Sequence, residues 1–150
     1  MAFNILVVDD SETMRTVIKR TIGMTGIGVG ELLEAGNGKE ALEVLADSWI
    51  DIVLSDINMP EMGGIELLKA MKGDDVLRNI PVIFISTESS HGRMDEAKEL
   101  GVAAYVKKPF MPETIKATML EVLSKAYASR MDEIIEEEGG SDWSDDETDF

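Results

Sequence analysis

Ile52-Val53-Leu54-Ser55-Asp56-Ile57-Asn58-Met59-Pro60-Glu61-Met62-Gly63-Gly64 decides how this chain is read. Three apolar residues run into Ser55-Asp56, and a Pro/Gly-rich turn follows. A short apolar run closed by turn residues predicts a buried strand and the loop after it. A carboxylate at the C-terminal end of such a strand stands on the edge of an open α/β sheet where sites form. Asp56 is therefore the first candidate for chemistry, as a nucleophile.

The same pattern recurs on either side of it. Phe3–Val8 is apolar except for Asn4 and ends at Asp9-Asp10, which predicts a second buried strand delivering two acids to its end. Ser11 suits a helix N-cap, and Met14, Val17, Ile18 and Ile22 then fall on one helical face. Residues 31–35 predict a strand and Gly36-Asn37-Gly38 a turn. Residues 39–48 predict a helix with Ala41, Leu42 and Leu45 inward, and residues 64–72 another through Ile65, Leu68 and Met71. Residues 81–86 form an apolar strand ending at Ser86, and residues 92–100 a weaker helix through Met94, Ala97 and Leu100. Residues 103–106 give a fifth strand, followed by Lys107-Lys108-Pro109-Phe110. Ile115, Met119, Val122, Leu123 and Ala126 mark a long last helix. Five strands alternating with five helices predict a doubly wound α/β fold, a parallel sheet covered on both faces by right-handed crossovers.

Composition narrows the function. A chain of 150 residues suits one domain with a short appendage. A formal net charge of −16 argues against nucleic acid as a partner. The absence of cysteine removes disulfides and thiolate chemistry and suits a reducing, cytoplasmic setting. We expect no signal peptide and no membrane span, because no apolar stretch is long enough. The expected boundary lies near Met131, giving a domain over residues 1–131. Residues 132–150 hold ten acids and no Lys or Arg. This segment predicts an extension of the last helix to about Glu138, then a stop at Gly139-Gly140 and a tail too polar to fold alone. Trp143 and Phe150 give that tail a second reading as a docking segment, and Gly139-Gly140-Ser141 resembles a linker.

In a parallel sheet all strand C-termini share one edge, so Asp9, Asp10, Asp56, Ser86 and the Lys107-Lys108 pair converge. Clustered carboxylates resist ionisation unless a cation joins them, and Mg²⁺ favours carboxylate and water oxygens. A carboxylate nucleophile, a dication, an ammonium and a hydroxyl are the parts that phosphoryl transfer requires.

These residues resemble the receiver domain of two-component response regulators, in its CheY-like, stand-alone form. Asp9-Asp10 matches the family's acidic pair and Asp56-Ile57-Asn58-Met59-Pro60 with Gly63-Gly64 its phosphoacceptor block. Ser86 matches the hydroxyl position, Lys108 before Pro109-Phe110 the family lysine, and Tyr105 the aromatic switch position. The resemblance covers roughly residues 3 to 127. It implies a flavodoxin-like five-stranded sheet in the order 2-1-3-4-5. It implies Mg²⁺ held by Asp10, Asp56 and the Asn58 carbonyl, with Asp9 acting near or through a metal-bound water. It implies transfer from a sensor histidine kinase phosphohistidine to Asp56, with Lys108 and Ser86 on the phosphoryl oxygens. Ser86 then moves toward the phosphate and Tyr105 turns inward, reshaping a protein-binding surface. The Lys108-Pro109 bond is expected to be cis. Asn58 and Glu88 take the positions that tune dephosphorylation, and this pair resembles the chemotaxis messenger. The expected output is a downstream protein target, a flagellar motor switch in the chemotaxis reading, with room for a phosphatase partner. A phosphorelay carrier without motor binding is the alternative. A haloacid-dehalogenase-type phosphohydrolase is a further one, although it wants Asp-x-Asp where this chain has Asp9-Asp10-Ser11. On this reading the chain is not an enzyme and catalyses only its own phosphorylation and dephosphorylation.

Other features read more plainly. Lys107 is ordinary exposed charge, and Thr87 adjoins the hydroxyl position without filling it. Gly26-Ile27-Gly28-Val29-Gly30 follows a helix and precedes a strand, the reverse of a dinucleotide fingerprint, so it reads as a turn. His91, the only histidine, reads as a surface residue in a loop. The ten methionines mostly fall on inward helical faces, with Met62 and Met94 the more exposed.

Overall fold

Each apolar run forms a strand, and a helix returns the chain from the end of one strand to the start of the next. The computed structural model describes residues 2–88 and 90–128. In chain order the elements are β1 (Phe3–Val8), α1 (Glu12–Gly23), β2 (Val29–Ala35), α2 (Gly38–Asp47), β3 (Ile52–Ser55), α3 (Gly64–Lys72), β4 (Val82–Ser86), α4 (His91–Glu99), β5 (Ala104–Lys107) and α5 (Pro112–Ala126). The strands make one sheet in the order β2-β1-β3-β4-β5, every neighbouring pair parallel. The predicted fold class and strand order are those observed.

The sheet has an apolar layer on each face. Ile5, Val7, Leu54, Ile83 and Ile85 pack with Ile18 and Ile22 of α1 and Ile115, Met119 and Leu123 of α5. Leu6, Val8, Val53 and Phe84 pack on the other side with Ala41, Leu45, Ile65, Leu68 and Ala97. Alternate strand residues thus serve opposite layers. Full burial of one such side chain is worth about 1.5–3 kcal/mol. No helix among the described residues is long and apolar enough to cross a membrane.

Local chemistry fixes the helix starts. The Ser11 hydroxyl accepts the Met14 N–H at 3.1 Å. Asn37 Oδ1 accepts the Glu40 N–H at 2.9 Å, while Glu40 Oε1 reaches back to the Gly36 N–H at 2.7 Å. These caps satisfy backbone donors that the first turn leaves unpaired. Pro112 opens α5, where its missing N–H costs nothing.

Some expectations are corrected. Val17 of α1 is 41% exposed, and Thr21 replaces it on the buried face through a hydroxyl bond to the Val17 carbonyl. Ala126 is exposed at the end of α5. Met24 and Met111 cap helices in solvent, whereas Met62 and Met94 are half-buried. His91 is exposed but opens α4 instead of lying in a loop. β2 begins two residues early, at Val29. α5 closes at Ala126, with Tyr127 off helical dihedrals at φ −138° and ψ 56°. The predicted extension to Glu138 and the acidic tail over 132–150 lie outside the described residues.

A buried acid ties the opposite edge of the sheet together. The Asp51 carboxylate accepts the Asn4 N–H at 2.8 Å and the Trp49 indole N–H at 3.0 Å. Its carbonyl accepts the Tyr127 hydroxyl at 2.8 Å, and the Tyr127 ring lies 5.8 Å from that of Phe3.

Candidate phosphoacceptor and metal site

Register places the acids. Val8 pairs with Ser55, so Asp9 and Asp56 leave adjacent strands at the same level. The Asp56 N–H donates to the Val8 carbonyl at 2.9 Å, and the Asp9 N–H to the Ala35 carbonyl at 3.1 Å. Asp9, Asp10 and Asp56 each offer an oxygen within 4.8 Å of the others. Asp9 is 1% exposed, Asp56 intermediate and Asp10 exposed.

The carboxylates are oriented differently. Asp9 Oδ1 accepts the Ser11 N–H at 2.9 Å, and Asp9 Oδ2 accepts Lys108 Nζ at 2.9 Å. Asp56 Oδ1 accepts its neighbour's N–H, from Ile57, at 2.7 Å, and Asp56 Oδ2 accepts Lys108 Nζ at 3.2 Å. No such bond engages the Asp10 carboxylate among the described residues. Three hard oxygen donors so close together fit Mg²⁺, which favours carboxylates with water or phosphate completing its shell.

Lys108 is the cation of this edge. Its N–H donates to the Ser86 carbonyl at 3.0 Å, continuing β5 past Lys107, and its peptide bond to Pro109 is cis. Burial works against the ammonium, but hydrogen bonding to Asp9 and the charges of Asp56 and Asp9 outweigh it and hold its pKa above that of an ordinary lysine. Lys107 is exposed.

Ser86 ends β4 fully buried, and its Oγ accepts the Glu88 N–H at 3.2 Å; Thr87 beside it is exposed. The Tyr105 hydroxyl donates to the Ser86 carbonyl at 3.0 Å and also faces the Glu88 carbonyl at hydrogen-bond distance. One phenolic proton is shared between the two. The Tyr105 ring is thus already half-buried against the β4–α4 loop. Burial first, then the charges of Glu88 and Asp56, push its pKa up. Asn58 is exposed, and its Nδ2 donates to Glu88 Oε1 at 3.0 Å. That bond, with donation from Ser90, holds the Glu88 carboxyl below the usual range.

Two features had no counterpart in the sequence reading. Arg15 Nη1 donates to the Asp9 carbonyl at 2.7 Å, steadying the buried acid from α1. Arg93 reaches Asn58 Oδ1 at 3.3 Å from α4. Arg15 lies one helical turn after the Ser11 cap, a spacing that could have flagged it; Arg93 carries no such local signal.

Gly63 and Gly64 let α3 start against the end of β3. A Cβ at Gly64 would lie 2.3 Å from the Asp56 carbonyl oxygen, and one at Gly63 2.6 Å from that of Ile57. The left-handed residue of this loop is Glu61, with φ 67°. A non-glycine residue there is strained, and such strain collects at functional loops.

Known proteins resemble this chain over most of its length. The profile of the response regulator receiver domain matches residues 5–120. The chain is 41% identical over 120 residues to the chemotaxis protein CheY1 of Helicobacter pylori strain J99, covering 79% of this chain and 95% of that protein. It is 36% identical over 121 residues to the chemotaxis protein CheY-3 of Vibrio cholerae, covering 81% and 92%. The solved structure of Vibrio cholerae chemotaxis protein CheY4 superposes with a TM-score of 0.74 at 33% identity, covering 82% of this chain and 100% of that one. With a family profile spanning most of the chain and relatives aligned over nearly their whole length, this protein belongs to the response regulator receiver domains, among those like the CheY chemotaxis proteins.

Proposed function

We propose that the chain is a single-domain response regulator whose Asp56 accepts a phosphoryl group from a sensor histidine kinase in a Mg²⁺-dependent reaction. The reading rests on one observation above the rest: Lys108 Nζ bonds both Asp9 and Asp56 inside a three-carboxylate cluster. Asp10, Asp56 and the Asn58 carbonyl would hold the metal, and Asp9 would orient it from its buried position. A Mg²⁺ ion held there would supply positive charge that offsets the clustered acids and the charge of the transferred group. An Asp56 carboxylate oxygen bonds to phosphorus as the bond from phosphorus to the donor imidazole breaks, and the imidazole takes up a proton. Lys108 holds a phosphoryl oxygen, and the Ser86 hydroxyl donates to another. Ser86 moving toward that oxygen shifts the carbonyl that Tyr105 and Lys108 share, which links the acid edge to the surface of α4, β5 and α5. The chemotaxis relatives support an output through protein contact, with a motor switch as the target and a cytoplasmic place of action.

The test is labelling. With Mg²⁺ and acetyl phosphate the wild type should take up one phosphoryl group, and Asp56→Asn none. Equal labelling of that variant would overturn the assignment, and repeated turnover of a phosphomonoester would favour a hydrolase instead.

A further inference from the structure

Asn58 and Glu88 belong to two different loops over the acid edge, and a third residue locks them together. Arg93, the third residue of α4, donates its N–H to the Ser90 cap at 3.3 Å. Its side chain turns back toward the loops. Nη2 donates to Asn58 Oδ1 at 3.3 Å, and Nε lies 3.8 Å from Glu88 Oε1. The same Glu88 oxygen accepts Asn58 Nδ2 at 3.0 Å, and Glu88 Oε2 accepts the Ser90 N–H at 3.1 Å. The three side chains close a ring between the β3–α3 loop, the β4–α4 loop and α4. Each end of the Asn58 carboxamide therefore carries one bond, its oxygen from Arg93 and its nitrogen to Glu88, and together they fix its orientation.

This matters for the reverse of phosphorylation, and the inference rests on the phosphoacceptor reading above. To lose its phosphoryl group, Asp56 must see water attack phosphorus opposite the carboxylate oxygen. The water oxygen bonds to phosphorus, the Asp56 oxygen–phosphorus bond breaks, and the carboxylate is restored. One water proton stays on the released phosphate and the other goes to solvent. A polar side chain two residues from Asp56, if free to turn, could align that water, and alignment is a large part of such a rate. A carboxamide fixed at both ends keeps one N–H and one lone pair, but it is not free to turn them to that water.

We propose that Arg93 is a positioning residue that prolongs the phosphorylated state by holding the Asn58 carboxamide against Glu88, away from the attacking water. Guanidinium suits this task because its fork spans two acceptors, which an ammonium cannot match.

The full chain, labelled with acetyl phosphate and Mg²⁺ and then freed of donor, provides the test. Loss of label is followed over time. Arg93→Ala should shorten the phosphoryl half-life about two- to fivefold, the range open to a partly exposed charged contact. Arg93→Lys should restore part of it. In an Asn58→Ala background, Arg93→Ala should change nothing further, because the group it positions is gone. An unchanged or longer half-life in Arg93→Ala would overturn the proposal, as would an equal acceleration with and without Asn58. A wild type that takes no label would instead overturn the phosphoacceptor reading itself, and this inference with it.

Discussion

Replacing Gly64 by alanine measures how closely α3 must approach the end of β3. The added Cβ would meet the Asp56 carbonyl oxygen at 2.3 Å, Ile57 Cα at 3.0 Å and Phe84 Cε1 at 3.1 Å. Comfortable carbon contacts lie at about 3.5–4.0 Å, so helix and strand must part by roughly 1 Å. Two of the three neighbours are backbone, which cannot rotate aside. Forcing extra volume into a packed site costs about 1–3 kcal/mol, and backbone contacts argue for the upper half of that range. For a folded unit of this size that lowers Tm by about 6–12 °C. Gly23, the last residue of α1, is the control: nothing lies within 4 Å of its added Cβ. There alanine should gain about 0.5 kcal/mol from helix propensity and raise Tm by about 2 °C. Thermal unfolding followed by circular dichroism reads both. Phosphate uptake should fall in Gly64→Ala, because the strained contact is the carbonyl of Asp56 itself. If Gly64→Ala melts with the wild type, the close-approach argument is wrong.

Two further outcomes follow from charge. Mg²⁺ at about 100 times its Kd should stabilise the wild type by roughly 2.7 kcal/mol, and Asp10→Ala much less; equal shifts in melting temperature would remove the metal site. Glu34 accepts Arg15 Nε at 2.8 Å and also binds Lys19, and these two cations hold its carboxyl below the usual range, Lys19 first. A depressed folded pKa means the stabilisation is complete above the unfolded pKa and lost as pH falls through the folded one. Glu34→Gln should therefore cost up to about 1 kcal/mol near pH 7 at low salt, with the gap closing as pH falls through the depressed folded value. A gap that ignores both pH and salt would show that packing, not charge, is at stake.

The strands and the parallel sheet were legible because five apolar runs alternate with helical faces, while the strand order came from the family resemblance. The convergence of Asp9, Asp10, Asp56 and Lys108 was legible for the same reason, since every strand ends on one edge. What escaped were contacts set by helix rotation and loop path. Val17 satisfied the apolar spacing of α1, yet Thr21 took the buried face because its hydroxyl could bond the turn above it. Gly63 and Gly64 marked a turn, but the left-handed residue of that loop is Glu61, and the glycines serve close approach. Arg93 meets Asn58 across 35 positions of sequence, a pairing that no periodicity encodes.

The Asp51–Tyr127 clasp has a practical consequence for anyone attaching a probe. It pins the close of α5 beside the first residues of β1 and β3, whereas Asp56 lies beyond their far ends. The six residues of β1 span about 20 Å at the usual rise per residue. A dye or surface tether joined just after Ala128 would therefore be anchored a strand's length from the carboxylates, leaving phosphodonors and metal free to reach them.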